Sequence, residues 1–269
     1  MRWIVLAASC LLVFPSMACA AEGKPELGRG RDFVALGVGA TPDYLGSNDY
    51  RLVPFGFASY RVGDVRYTWQ GLSLKADFLE LRSGGNWVGG FSSAYVPGRH
   101  DVDNPLVDRL PDIAGTAEVG AFVGRRFRHL FNRSDFVSVS LGAMADIGGV
   151  HDGHTLDLGL DYSTALSRRV RALINLGTVY ASNGFMQTQF GVDERGSLAS
   201  GLPTFAADAG IQQVSASAGL NMQFTRRWGI FGQVAYTRLT GDARDSPVVR
   251  FGGDPDQWRL GLALSYRLD

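Results

Sequence analysis

The sequence predicts an all-β fold: a transmembrane antiparallel β-barrel of about twelve strands, with ten as the alternative. Three observations predict it. Long stretches alternate strictly between apolar and polar residues, and the end of the chain shows this best. Val214, Ala216, Ala218, Leu220, Met222 and Phe224 fall on one side, and Gln213, Ser215, Ser217, Gly219, Asn221 and Gln223 on the other. Trp258, Leu260, Leu262, Leu264, Tyr266 and Leu268 repeat the pattern against Arg259, Gly261, Ala263, Ser265 and Arg267. A strand points successive side chains to opposite faces, so each segment has one oily and one wet face. Connections also alternate in length: short at 82–85, 167–169 and 225–227, long at 97–111, 181–210 and 240–256. Bacterial membrane barrels have short periplasmic turns and long outer loops. Finally, the N-terminus reads as an export signal. Arg2 precedes the apolar run Ile4 to Phe14, Pro15 to Met17 interrupts it, and Ala18-Cys19-Ala20 is a small-residue cleavage site.

This reading assigns residues 1–20 to the signal peptide and 21–269 to one barrel in the outer membrane. Acylation of Cys19 is the rival reading, opposed by the poor lead-in Ser16-Met17-Ala18. Both cysteines, Cys10 and Cys19, lie in the signal, so a mature chain cut before Ala21 has no disulfide framework. The 269 residues carry 26 basic and 26 acidic side chains, and this balance gives no support to nucleic-acid binding. No stretch after the N-terminus has the roughly 18 apolar residues a spanning helix needs.

In chain order, Glu22 to Arg31 is a periplasmic lead-in. Phe33 to Ala40 is the first strand, Thr41 to Asp49 a turn-rich loop and Leu52 to Tyr60 the second strand. Pro54 lies inside it, which a ladder tolerates only at a bulge or where no N–H is needed. Val65 to Leu81 is one long strand or two, broken at Gln70-Gly71. Ser83 to Asn86 is a hairpin turn, followed by a strand from Trp87 to Val96. Strands at 115–127, 136–147, 156–166 and 170–180 follow, then the last three from Ile211 onward. Counting back from Leu268 gives eight clear strands to Trp87. Both termini of a bacterial barrel lie in the periplasm, so the count is even. Splitting 65–81 makes twelve.

Alternation alone does not distinguish inside from outside. Charges on the polar face in mid-strand include Lys75, Asp77, Glu118, Asp157, Asp161, Arg171, Arg259 and Arg267. The export signal and the aromatic strand ends decide for a lipid-facing oily surface and a polar lumen. The candidate lumen-facing charges are Asp157, Asp161, Arg171, Arg259 and Arg267.

Several stretches resemble the MipA/OmpV family. Tyr236 to Val249 (YTRLTGDARDSPVV), followed by Gln257 and a strand ending Ser265-Tyr266-Arg267-Leu268, is similar to that family's C-terminal signature. Pro42 to Ser47 (PDYLGS), Gly115 to Gly120 (GTAEVG), Phe190-Gly191-Val192 and Ser200 to Pro203 (SGLP) also match. The resemblance covers nearly the whole mature chain. It departs at the terminus, where Leu268-Asp269 stand in place of the usual final aromatic. The resemblance implies an outer-membrane protein in contact with lipid. It also implies a scaffold that bridges a lytic murein transglycosylase and a penicillin-binding protein; the alternative is a narrow porin-like channel for small solutes or antibiotics.

Candidate sites follow from residue chemistry. The family-motif loop (Tyr236, Gly241, Asp242, Asp245, Ser246, Pro247) reads first as a rigid turn, since Asp and Ser bond nearby backbone, Gly allows positive φ and Pro fixes φ. A ligand or partner loop is the rival. The basic turns Arg168-Arg169 and Arg226-Arg227 are candidate periplasmic partner contacts, or anchors at lipid headgroups. His151 and His154 lack an identifiable third metal ligand. A barrel lipid hydrolase needs a His beside a Ser and an orienting group. All four His fall in expected loops or turns, and no G-x-S-x-G occurs. The expectation is therefore no enzyme, no catalytic residue, no metal site and no cofactor.

Overall fold

The computed structural model describes residues 32–268. The expected export signal and the lead-in to Arg31 lie outside the described residues. Within them, twelve strands close one antiparallel barrel in chain order, with the first strand paired to the last. They are β1 (Phe33–Pro42), β2 (Tyr50–Val62), β3 (Val65–Gln70), β4 (Ser73–Asp77), β5 (Trp87–Val96), β6 (Thr116–Arg128), β7 (Phe136–Asp146), β8 (His154–Ala165), β9 (Val170–Ala181), β10 (Gly210–Gln223), β11 (Trp228–Leu239) and β12 (Asp256–Arg267). Closure runs from Phe33↔Arg267 to Ala40↔Leu260. Five short helices lie in connections: α1 (Leu79–Arg82), α2 (Asn183–Phe190), α3 (Glu194–Ser200), α4 (Gly241–Asp245) and α5 (Pro247–Arg250).

The ambiguous stretch 65–81 is two strands. Gly71 turns the chain with φ +52°, a region costly for a side chain. The second half stops early: β4 ends at Asp77, whose Oδ1 accepts the N–H groups of Leu79, Glu80 and Gly89. That carboxylate starts the single turn α1 where the alternation suggested continued strand. The connection to β5 is therefore longer than the four-residue turn expected.

Outward faces are apolar along the wall, and inward faces are small or polar except at one cluster of large apolar side chains. Leu262 is 54% exposed and its neighbour Ala263 is 2% exposed. Aromatic pairs mark both ends of the lipid-facing band. Tyr236 and Trp258 lie 4.9 Å apart near the loop end, and Trp228 and Tyr266 4.8 Å apart near the turn end. Amphipathic rings favour headgroup depth. Both described chain ends and the short turns lie on one side, the periplasmic side by the rule for bacterial barrels.

The inward Ala263 is not in open lumen. It packs with Phe33, Ala35, Phe55, Phe57, Leu173 and Phe231, and a Cβ on the adjacent Gly37 would sit 2.7 Å from its own Cβ. An arginine there would clash, so Ser215, half-buried on β10, is the better inward control. We expect Leu262→Arg to block assembly, since Arg at the bilayer midplane costs roughly 2–4 kcal/mol. Ser215→Arg should retain the mobility shift between unboiled and boiled protein in SDS gels. Equal folding yields for the two would reverse the inside–outside assignment.

Candidate functional site

The outer loops do not hang free; they fold over the mouth as a cap with its own core. α2, α4 and α5 bring Phe185, Met186, Phe190, Ala243 and Val249 against Ala181, Ala207 and Leu239. A second cluster joins Tyr44, Val102, Val107, Leu110, Val192, Leu202 and Val248. Burial of large apolar side chains is worth roughly 1.5–3 kcal/mol each, so the cap is held as a small globular domain would be.

Polar contacts tie the cap to the wall. Ser246 is fully buried: its Oγ donates to the Phe190 carbonyl (2.6 Å) and accepts from Val248 N–H (3.2 Å). Pro247 occupies the first turn of α5, where no N–H is needed. Asp242 accepts from Asp208 N–H (2.8 Å), Tyr236 donates to Asp256, and Gly241 has φ +53°. Asp245 instead pairs with Arg244 at the surface. Gln257, 1% exposed, receives Gly46 N–H on Oε1 and donates through Nε2 to the Ser47 and Asp254 carbonyls. Gly46 holds φ +98°, with Val249 filling the place of any side chain. Tyr44 donates to the Gly252 carbonyl.

A third tie lies on the β7–β8 loop. His151 accepts Gly153 N–H on Nδ1, which leaves the proton of a neutral ring on Nε2, 3.1 Å from Glu118 Oε1. Both side chains are buried, and the ring packs edge-on to Phe185 of the cap. His154 begins β8 and is exposed; it is not in the loop where the sequence reading placed it. Among the described residues no group of three or more His, Cys, Asp or Glu side chains is placed to hold a metal.

The periplasmic half of the barrel also carries packed side chains. On one side of the lumen stands the aromatic cluster of Phe33, Phe55, Phe57 and Phe231. On the other, Glu80 of α1 reaches Arg66 (2.9 Å) and Arg126 (3.0 Å), with Asp32 3.7 Å from Arg66. These partners were not legible beforehand, because Glu80 was expected at the end of a strand.

The lumen charges named from sequence occupy several levels. Arg259 donates to Thr41 and Thr237 beneath the cap. Asp157 is buried on β8, and Asp161 accepts from Asn175 (2.8 Å). Arg171 reaches Ser163 (3.0 Å), and Arg267 lies opposite Phe33 at the closing seam. Arg168, Arg169, Arg226 and Arg227 are exposed on the two periplasmic turns.

A family model described as MltA-interacting protein MipA matches residues 34–268. The chain belongs to the MipA family. Among curated proteins no sequence matches significantly. Of solved structures, the NanC porin superposes with a TM-score of 0.52 at 7% identity, covering 88% of this chain and 100% of the porin. An outer membrane channel from Pseudomonas putida F1 superposes at 0.48 and 11% identity, covering 92% and 100%. The likeness to the porin shows the outer-membrane barrel fold. In this MipA-family barrel the motif segments 42–47, 115–120, 190–192, 200–203 and 236–249, with Gln257, all contribute to the cap or its attachment.

Ser246→Ala tests this. It leaves the buried Phe190 carbonyl and Val248 N–H without their partner, at about 1–3 kcal/mol. The barrel should still show its heat-dependent gel shift, while loop 183–209 becomes cleavable by protease added outside intact cells. Protection equal to the parent would mean the cap does not depend on this tie.

Proposed function

We propose that the protein is a non-enzymatic outer-membrane scaffold. It binds murein-processing enzymes, a lytic murein transglycosylase and a penicillin-binding protein, from the periplasmic side. The observation that carries this reading is side-chain packing at both ends: a cap with an apolar core outside, and an aromatic cluster with an Arg66–Glu80–Arg126 network inside. A barrel so filled is poorly built for free solute flow. The family description names an interaction with MltA, which supports the same reading.

The enzymes that cut and build murein lie on the periplasmic side. That side presents Arg168, Arg169, Arg226 and Arg227 on rigid turns. Ser167 Oγ accepts the Arg169 and Val170 N–H groups, and Thr225 Oγ1 those of Arg227 and Trp228. Locked turns display charge at low entropic cost, which suits acidic patches on a partner. A second reading, a narrow channel, draws support from an arginine-lined cavity under the cap.

Photocrosslinkers at positions 168 and 226 should capture murein enzymes in cells, and those at 193 and 245 should not. In planar bilayers the purified barrel should conduct poorly. Glu80→Ala, which strips a buried carboxylate from two guanidinium groups, should raise conductance or lower the temperature of the gel shift. No adducts from the first pair, together with steady solute flux through the parent protein, would favour the channel.

A further inference from the structure

The wall has a notch. β3 and β4 have six and five residues, against thirteen in β2 and ten in β5. β3 covers β2 only from Phe57 to Val62, and β4 meets β5 only from Gly90 to Ala94. Above the hairpin, among the described residues, no pairing joins β2 to β5. Seven residues of β2 (50–56) thus have a partner strand on one side only, a length of about 23 Å along the strand.

Both margins of the notch carry proline where a ladder would need an N–H. Gly71 N–H bonds the Gly56 carbonyl, so Gly56, and by alternation Pro54, turn their backbone toward the missing neighbour. Tyr95 N–H bonds the Leu72 carbonyl, so Pro97 faces the gap from the other side. Proline at an edge removes an unpaired donor and discourages pairing with another strand. Leu52, on the margin, is 81% exposed.

Behind the notch lies a cavity of about 50 Å³ whose walls include both margins: Arg51 from β2, and Val96 to Arg99 beyond β5. Its lining carries Arg51, Arg99 and Arg259 against one carboxylate, Asp43, with Asp112 near Arg99 outside the lining. Arg51 pairs with Asp43 (3.1 Å), yet its buried Nε has no hydrogen-bond partner. Burial lowers the Arg99 guanidinium to about 10, against the opposing pull of Tyr44 and Asp112. A bulge in β10 between Ile211 and Gln213 turns both Gln212 and Gln213 inward. Gln212 is 2% exposed and its Oε1 has no partner. A bulge that re-aims a side chain beside a cavity is a common device of binding sites.

We propose that this cavity and notch together bind a single-chain carboxylic amphiphile, such as a fatty acid. Its head sits between Arg51 and Arg99 beside Gln212, and its tail leaves between Pro54 and Pro97 into the lipid. The volume holds roughly three to five waters, enough for a carboxylate head. The rest of the molecule must therefore lie in the opening, which faces hydrocarbon. A protonated head supplies the hydrogen that Gln212 Oε1 lacks; an ionised head accepts from Arg51 Nε.

The test uses the full barrel in zwitterionic nanodiscs, titrated with decanoate, decanol and acetate by calorimetry. Decanoate should bind saturably. Decanol and acetate should bind at least tenfold more weakly. Arg99→Gln and Gln212→Leu, each checked for its gel shift, should weaken decanoate binding at least fivefold. A decanoate carrying a tail diazirine should label residues 50–54 and 95–97. Unchanged affinity in a folded variant, acetate binding as well as decanoate, or label confined elsewhere on the barrel would overturn the proposal. Loss of decanoate binding in anionic phospholipid discs would name a phospholipid as occupant and overturn it also.

Discussion

Hydrocarbon offers no partner to a backbone N–H or C=O, so a chain that crosses it as strands must satisfy every such group between strands. The seam of β1 against β12 follows from this, because an open sheet would leave two edges bare in lipid. The even strand number and the shared side of both chain ends follow in turn. The single short hairpin, β3–β4, breaks the uniform wall height, and a proline stands on each side of the gap, Pro54 within β2 and Pro97 just past the end of β5. Pro54 removes one donor from the β2 side of that gap, and Gly56 finds a partner for its carbonyl in Gly71 N–H.

The wall was legible because its pattern is local. Period-two alternation in β10 and β12 is read directly, and Gln70-Gly71 marked the break that makes the count even. Pro54 was a recognisable anomaly whose cause needed the register. The cap was not legible as a body. The residues that build it were visible as motif segments, but nothing local says that Gly46 meets Gln257 or that Ser246 meets Phe190. α1 escaped because its cause is one carboxylate, Asp77, accepting three N–H groups. Ala263 was rightly placed inward, but the alternation carries no information on the aromatic ring packing across the lumen.

The matched segments therefore have a common physical meaning. Small, turn-forming and hydroxyl residues recur there because a lid made of loops has few ladder bonds and must satisfy its backbone through side chains. Gln257 does this three times over and Ser246 twice; outside the matched segments, Asp146 likewise accepts the N–H groups of Gly148, Val150, His151 and Asp152. Such residues look like a ligand site in sequence, since the same chemistry serves both. Here they spend their hydrogen bonds on the protein itself. Gln212 Oε1 and Arg51 Nε, both beside the cavity, are buried atoms without such a partner.

The joining of Gly46 to Gln257 spans 211 residues of chain. Neither partner reaches the other until β12 has taken its place beside β1. This tie therefore closes only with the barrel, and it joins the loop after β1 to the start of β12. The closed wall thus holds the cap's segments, far apart in the chain, within reach of one another. Barrel closure and attachment of the lid are thereby coupled through one buried glutamine side chain.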